Sequence, residues 1–420
     1  MQELATSVSG GLLVRNIMRP KYTKVGLGSA RRLLDTPVRA IGMVVIGIVI
    51  YHIAVVKLRF VSNYFFIQLG CMLVAFVFCL TQSYIIRIPK YLGINLALIC
   101  FSFSALVSSL LNKNLSSSSL PDSLIFIIGV LSVFIYFESL NNRGGSTLGL
   151  KTFFWLTIVY CMINDALSFI YPQRTVTDYG GVYYTYLVGT KFDVFYLHVL
   201  ALLMFYVLYT HDGRKRIFLL YALLIYTLAI GLYDQCSTAV FGCSAIFIFF
   251  ILRPVLCNIG GKSVVVISCI IFCDTVLLFN SLLLQNSFIK HFIENVLHRN
   301  TTLTGRTGIY AEMGSLVSSR PFLGYGYENN LMVSTQYLGA ANAQNGFFDC
   351  LISFGIVGVI CLIVLLSASL KQMRGNIEYG FLCLLYFLIF LSMVEISLRS
   401  IFFLSLALIA FCQINPKLSL

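Results

Sequence analysis

Long apolar runs recur along the whole chain, separated by short polar segments. They predict twelve membrane-spanning helices, at 40–56, 60–80, 91–111, 121–139, 152–171, 192–210, 217–232, 236–252, 263–284, 346–370, 379–394 and 397–414. A helix needs about 20 such residues to cross a hydrocarbon core of ~30 Å. Strands of a membrane barrel would instead alternate polar and apolar residues over segments of about ten. We therefore expect an all-α polytopic membrane protein.

The composition agrees with this expectation and excludes other classes. Of the 420 residues, 59% are hydrophobic and 11% are charged, whereas a soluble domain carries about 25% charged residues. The deficit excludes a water-soluble globular fold, a nucleic-acid-binding domain, a coiled coil and a disordered chain. We expect contacts with membrane lipids and none with nucleic acid. The 13 cysteines fall almost entirely within apolar runs, and we interpret them as apolar fillers.

The distribution of basic residues predicts the orientation. The net charge is +13, and most of the 29 lysines and arginines fall on the side that holds both termini. The positive-inside rule makes that side cytoplasmic. Several exceptions lie in or beside two segments on the outer side: Lys191, Lys290, Arg299, Arg306 and Arg320. Basic residues that break the rule mark the outer face as the place to look for function.

The predicted topology divides the chain into five parts. They are a basic cytoplasmic tail (1–39), nine helices with an outer loop at 172–191 (40–284), a large outer loop (285–345), three helices (346–414) and a short cytoplasmic tail (415–420). The large loop is far longer than most connections, and such loops are usually functional when they are ordered. Its aromatic and apolar residues predict that it folds, mainly as helix.

The large loop contains short motifs in a distinctive order. Gly305-Arg306 opens a helical stretch, Arg320-Pro321-Phe322-Leu323-Gly324-Tyr325-Gly326 follows, and Gln344-Asn345 enters a span that contains Gly355-Ile356-Val357-Gly358. This order resembles the O-antigen ligase and Wzy polymerase superfamily. Twelve spans with a large outer loop between the ninth and the tenth also match. The resemblance covers the last third of the chain in motifs and the rest in topology.

The resemblance implies a glycosyltransferase of the C-type membrane fold at the outer face of a bacterial cytoplasmic membrane. Its donor would be a growing glycan on polyprenyl diphosphate, and its acceptor a sugar hydroxyl of the next lipid-linked repeat unit, in O-antigen or related polysaccharide synthesis. Direct displacement would invert the anomeric configuration. A chain-length regulator and a flippase of the same pathway are implied as partners. We expect no cofactor or metal, because the outer loops lack an acidic pair such as D-x-D that would hold Mg²⁺.

Arg306 and Arg320 are the predicted donor-site cations. Breaking the anomeric bond leaves charge on the diphosphate, which fixed guanidinium groups can stabilise with bidentate hydrogen bonds. A straight helix from one to the other would place both on one face, about 21 Å apart. Pro321 should end this helix, so that Arg320 turns toward Arg306 or the two hold different parts of the donor. Alternatively, both bind lipid head groups or pair with Glu312 and Glu328.

The acceptor site departs from the ligase pattern at one residue. Ligases of the superfamily carry a histidine before the asparagine, and this chain has Gln344 there. Glutamine takes no proton at neutral pH but can orient a hydroxyl. We therefore predict a polymerase in which Gln344 and Asn345 orient the acceptor and the base lies elsewhere. Glu328 and Asp349 are the nearest carboxylates in sequence, although Asp349 could simply favour a helix dipole. His291 and His298 lie upstream in the same loop, but we favour an exposed loop face for both.

The shorter outer loop supplies further candidates for substrate binding. Arg174 and Tyr183 lie within it, and Lys191 stands at the mouth of the next span. Tyrosines can stack on sugar rings or belong to an aromatic belt at the head-group level. Lys191 can hold a lipid diphosphate or snorkel to the interface.

Charged residues inside spans are costly and normally paired or functional. Glu395 and Arg399 stand at i and i+4, the spacing of a helix ion pair, and we predict a structural pair. Asp165, Asp234 and Asp274 are the other acidic residues at such depth.

Two other functions remain open at this point. A ligase would deliver the glycan to lipid A core, against which the missing histidine argues. A lipid-linked oligosaccharide flippase would need charges that line a central cavity through many spans, whereas the unusual cations here cluster at one face.

Overall fold

The computed structural model describes residues 37–56, 58, 63–116, 119–170, 174–178, 181–209, 214–278, 306–339, 342–373 and 379–412. These ranges are almost wholly helical. In chain order the helices are α1 (Pro37–Ala54), α2 (Tyr64–Thr81), α3 (Leu92–Leu111), α4 (Ser119–Asn142), α5 (Ser146–Ile170), α6 (Lys191–Tyr209), α7 (Arg214–Tyr233), α8 (Ser237–Ile251), α9 (Arg253–Ile259), α10 (Ser263–Leu278), α11 (Arg306–Ser319), α12 (Asn329–Leu338), α13 (Gly346–Lys371), α14 (Tyr379–Ser392) and α15 (Ser400–Phe411).

Eight of the described helices, α1 to α7 and α13, are long and apolar enough to cross a membrane. Helices α8 and α9 are bent by 80° and would make a ninth span if counted together, while α10, α14 and α15 are apolar but shorter. A polytopic helical membrane protein is therefore confirmed. The number twelve and the orientation stay predictions, and residues 279–305 of the large loop, with Lys290 and Arg299, lie outside the described residues.

The shorter outer loop forms strands, which the sequence analysis did not predict. Strands β1 (Arg174–Asp178) and β2 (Gly181–Thr185) form an antiparallel hairpin there. Threonine, valine and tyrosine dominate both strands, and these β-branched and aromatic residues favour extended backbone over helix.

Central helices differ from peripheral ones in how much of their surface is buried. Most of α4 and α6 is buried inside the protein, whereas α1, α2 and α7 leave most of their apolar surface uncovered. Helices α14 and α15 are also buried on nearly all sides. A helix that is apolar all round belongs in a core or in lipid. The uncovered side chains of the peripheral helices, such as Phe66 and Phe218, suit contact with hydrocarbon.

Polar contacts tie the helix ends together at both ends of the bundle. At one end the Gln372 side chain donates to the Lys90 carbonyl at 3.0 Å, which joins α13 to the turn before α3. The Ser146 hydroxyl donates to the Phe411 carbonyl at 3.1 Å, joining α5 to α15 at that same end. At the opposite end, where α3 ends and α4 and α13 begin, helices α11 and α12 pack onto the bundle.

Helix α13 is broken at Gly355, whose φ of 63° and ψ of −172° are far from helical. The turn at 321–326 supplies the hydrogen bonds that the break removes. The amides of Tyr325 and Gly326 donate to the Ile352 and Ser353 carbonyls at 2.7 and 2.9 Å, and the Ile356 amide donates to the Pro321 carbonyl at 2.8 Å. A break at membrane depth is tolerated when protein groups satisfy the exposed backbone.

The end of α3 also contacts the Gly355 junction, the place where the turn at 321–326 meets the break in α13. The Ser108 hydroxyl donates to the carbonyls of Leu323 and of Ser353, the latter at 3.1 Å. The Asn112 amide donates to the Gly324 carbonyl at 3.1 Å. The outer loop is thus fastened to two spans by backbone groups, which positions the residues on either side of the turn.

Replacing Gly355 with alanine should destabilise the protein strongly. A Cβ at this position would collide with the Phe322 carbonyl, and the left-handed backbone is itself unfavourable for alanine. We expect a loss of at least about 2 kcal/mol, measured as a fall in the melting temperature of the detergent-solubilised protein.

Gly42→Ala is the matched control, because a Cβ at Gly42 on α1 would meet nothing within 4 Å. An equal effect of the two substitutions would contradict the importance of the Gly355 junction.

Candidate functional site

The structure confirms the predicted helix after Arg306 and the turn that follows it. The helix runs from Arg306 to Ser319 and ends before Pro321. Gly324 and Gly326 have φ values of 67° and 92°, so both adopt the left-handed backbone on which the turn depends. The sequence indicated this stop through proline and glycine, and the structure adds that the turn docks on α13.

The two predicted donor cations lie at opposite ends of α11. Arg320 is exposed, and its guanidinium carbon lies 5.0 Å from the centroid of the Tyr325 ring. The Tyr325 hydroxyl in turn donates to the Leu316 carbonyl at 3.1 Å. The side chain of Arg306 lies outside the described part of the molecule. A helix of 14 residues is about 21 Å long, which favours the alternative that the two arginines hold different parts of the donor.

Both candidate bases face one arginine, Arg399. Its Nη1 lies 4.0 Å from Glu328 Oε1 and its Nη2 lies 3.7 Å from Asp349 Oδ2. The Asn330 amide donates to the other oxygen of Asp349 at 2.5 Å. The carboxylates of Asp349 and Glu328 offset the cost of burying the positive charge of Arg399.

The helix predicted to contain Glu395 and Arg399 is not formed. Both residues lie between α14, which ends at Ser392, and α15, which begins at Ser400, so the i, i+4 spacing of a helix does not apply to them. Arg399 pairs with Glu328 and Asp349, which precede it by fifty positions or more.

Asn345 holds the start of α13 in place. Its side-chain oxygen accepts a hydrogen bond from the Phe348 amide at 2.8 Å, which caps the helix. Its amide donates to Asp274 on α10 at 3.0 Å. The side chain is fully buried, and both of its polar atoms contact protein. Gln344 is only partly buried and has a left-handed φ of 48°, so it is the more accessible of the two predicted acceptor residues.

The candidates of the shorter loop occupy the hairpin and the mouth of α6. Lys191 donates from Nζ to the Gln235 carbonyl at 3.1 Å and lies over the Phe192 ring. Arg174 pairs through its backbone with Thr185, and Tyr183 with Val176. Nothing is described of the side chains of Arg174 and Tyr183, so their predicted contacts with substrate remain predictions.

A second polar cluster lies inside the bundle between α5, α6 and α7. His198 Nε2 is 3.0 Å from Asp165 Oδ2, and the Tyr226 hydroxyl donates to the same oxygen at 2.6 Å. His198 Nδ1 lies 2.9 Å from the Val194 carbonyl, which only accepts. Nδ1 must therefore carry a hydrogen, and the contact between Nε2 and Asp165 holds one further proton. The sequence identified Asp165 as an acidic residue inside a predicted span, but it gave no sign of His198.

Asp234 lies beside this cluster, in the turn between α7 and α8. Its pKa is raised to about 6, chiefly by burial and also by the charge of Asp165, while His198 and Lys191 act in the opposite direction. Asp193, at the start of α6, lies close enough to Arg399 to interact with it electrostatically.

Removing the carboxylate of the second cluster should be more harmful than removing the tyrosine hydroxyl. Asp165→Ala leaves the buried His198 Nε2 without its partner and also removes the acceptor of the Tyr226 hydroxyl. A buried polar group without a partner costs about 1–3 kcal/mol. Tyr226→Phe removes a single hydrogen bond and should cost about 1 kcal/mol. Melting temperatures in detergent compare the two variants, and equal losses would show that Asp165 does not bind both partners.

The raised pKa of Asp234 predicts a pH dependence of stability. Because the folded carboxyl has a pKa of about 6 against an ordinary value of 3.8, protonation favours the folded state. This contribution is complete below the ordinary value and declines as the pH rises toward about 6. Wild type should lose melting temperature relative to Asp234→Asn across that window. Parallel profiles for the two proteins would refute the assignment.

Comparison with known proteins adds no relative. The chain matches no protein-family model, and no curated protein matches it significantly. The choice of a function therefore depends on the motifs of the outer loop and on the contacts that they make.

Proposed function

We propose that this protein is a membrane glycosyltransferase of the Wzy polymerase type, acting at the outer face of a bacterial cytoplasmic membrane. It transfers a growing glycan from polyprenyl diphosphate to a sugar hydroxyl of the next lipid-linked repeat unit, without a metal. Membrane lipids surround it, and a chain-length regulator and a flippase act with it.

One observation carries the proposal. The turn at 321–326 and the glycines at 355–358 are separate motifs in the resemblance on which it rests, and in this fold they are hydrogen-bonded backbone to backbone. Motifs that met only by chance in sequence would have no reason to form one junction. The contact supports the view that they act as a unit, with Arg320 at one edge of the junction and Asp349 six residues before Gly355.

The chemistry assigns roles to the predicted residues. Arg306 and Arg320, with Lys191, hold diphosphates, where fixed positive charge stabilises the leaving group. The acceptor oxygen forms a bond to the anomeric carbon as the bond to the diphosphate breaks, which inverts the configuration. Glu328 or Asp349 takes the proton of the acceptor. Gln344 contacts the acceptor, and Asn345 positions Gln344 by fixing the start of α13.

The decisive experiment uses purified protein in liposomes with synthetic polyprenyl-diphosphate repeat units and EDTA. We expect a glycan ladder from wild type. Arg320→Ala should reduce the rate about 10²- to 10³-fold, as the loss of one charge-stabilising donor does in other enzymes. Arg320→Lys should fall between the two, because lysine keeps the charge but not the planar fork. Arg306→Ala tests the other end of α11 in the same assay.

Lys371→Ala is the matched control, since Lys371 is an exposed cation at the far end of α13 and should not affect the ladder. Transfer to lipid A core in place of a ladder would make the protein a ligase. Movement of labelled lipid between leaflets with no glycan product would identify a flippase and end the enzyme proposal.

A further inference from the structure

The guanidinium of Arg399 has hydrogen-bonding capacity that the described residues do not use. Its distances of 3.7 and 4.0 Å to Asp349 and Glu328 exceed the 2.7–2.9 Å or so of a charge-assisted hydrogen bond. Its Nε is buried and has no partner among the described residues. A third of the side chain remains exposed. A buried donor without a partner is costly, so a ligand that supplies an acceptor would bind favourably here.

Asn330 supplies a hydrogen-bond acceptor close to the Arg399 donor. Its residue is 1% exposed, and its amide nitrogen donates to Asp349. Its carbonyl oxygen is buried and lacks a partner in the described part of the chain. The cluster of Glu328, Asn330, Asp349 and Arg399, named here the Arg399 cluster, therefore combines unused donors with unused acceptors.

The charge of the Arg399 cluster selects among ligands. One ionised carboxylate is enough to balance the guanidinium, so the cluster offers no net positive charge to a diphosphate. A neutral polyol fits instead, because a hydroxyl both donates to a carboxylate or amide oxygen and accepts from a guanidinium. Phosphate groups are better served by Arg320, an exposed cation immediately before the turn at 321–326.

Access distinguishes the two carboxylates. The Glu328 side chain is 14% exposed and that of Asp349 is 7% exposed. Glu328 adopts a left-handed φ of 63° at the start of α12. Because its side chain is the more exposed of the two, Glu328 is the carboxylate that an incoming hydroxyl reaches first.

We infer that the Arg399 cluster binds the sugar of the acceptor, with Glu328 accepting its hydroxyl hydrogen and Arg399 donating to the neighbouring sugar oxygens. This inference rests on the proposed function and names its acceptor subsite. In the transfer step the hydroxyl oxygen bonds to the anomeric carbon and its proton passes to Glu328. The bond to the diphosphate breaks, and the polyprenyl diphosphate leaves with the electron pair.

The test measures binding of two probes to the full-length protein in detergent. One probe is the repeat-unit oligosaccharide as a phosphate-free allyl glycoside, and the other is polyprenyl diphosphate without sugar. Glu328→Gln and Arg399→Lys should each weaken the sugar probe about tenfold or more, the loss expected for a hydrogen bond to a charged group. Binding of the diphosphate probe should change less than about twofold. Arg320→Ala should show the reverse pattern.

Glu312→Gln is the matched control, since Glu312 is an exposed carboxylate on α11 of the same loop and should leave both probes unaffected. Melting temperatures establish that each variant is folded, and Glu328→Gln tests the site by itself if Arg399→Lys does not fold. Unchanged sugar binding in a folded Glu328→Gln protein overturns the inference, as does selective loss of the diphosphate probe.

The binding test separates this inference from the proposed function. Selective loss of the sugar probe would support the acceptor subsite whether or not a glycan ladder forms. A ladder that persists at the wild-type rate and apparent KM in Glu328→Gln and Arg399→Lys would overturn the subsite while leaving the polymerase proposal intact.

Discussion

A backbone group in hydrocarbon has no water to bind, so each break in a spanning helix must be satisfied by protein. In this molecule that requirement falls on Gly355, where α13 loses its helical bonds. The amides and carbonyls around the break pair with the turn at 321–326, and α3 completes the junction through Ser108 and Asn112. The outer loop is consequently part of the bundle. Arg320 and Glu328 flank that turn, so the contacts of the turn also fix where their backbones lie.

The same constraint explains why the polar residues concentrate at one end. Charges inside a bilayer must be paired, and the pairs found here join different elements: Arg399 with Glu328 and Asp349, and His198 with Asp165. Each pair stabilises a contact between helices and also presents polar atoms where the bundle meets the outer loop. The residues at this end therefore include some that hold helices together and some that a substrate can reach. Both polar atoms of Asn345 bind protein at the start of α13, whereas the Glu328 side chain is partly exposed.

Much of the fold could be predicted from the sequence, because hydropathy reports directly on the surrounding solvent. The helix that begins at Arg306 and its stop at Pro321 also followed from local signals. The contacts of the site did not. Spacing alone suggested that Glu395 and Arg399 lie on one helix, yet α14 and α15 are short and leave a non-helical connection between them. The sequence identified Gly355 and Gly358 only as part of a motif, because the left-handed break at Gly355 depends on a turn that lies some thirty residues earlier in the chain. Pairs such as His198 with Asp165 join separate helices and leave no local pattern.

The order of the junction along the chain has a consequence for its assembly in the membrane. The Ser108 and Asn112 side chains on α3 and the turn at 321–326 all precede Gly355 in the chain. Synthesis proceeds from the N-terminus, so every partner of the break has been made before the break itself leaves the ribosome. Helix α13 can then exchange contacts with water for contacts with protein as it enters, without an interval in which its open backbone faces lipid alone. A circular permutation that moved α3 behind α13 would keep the final contacts and remove this ordering.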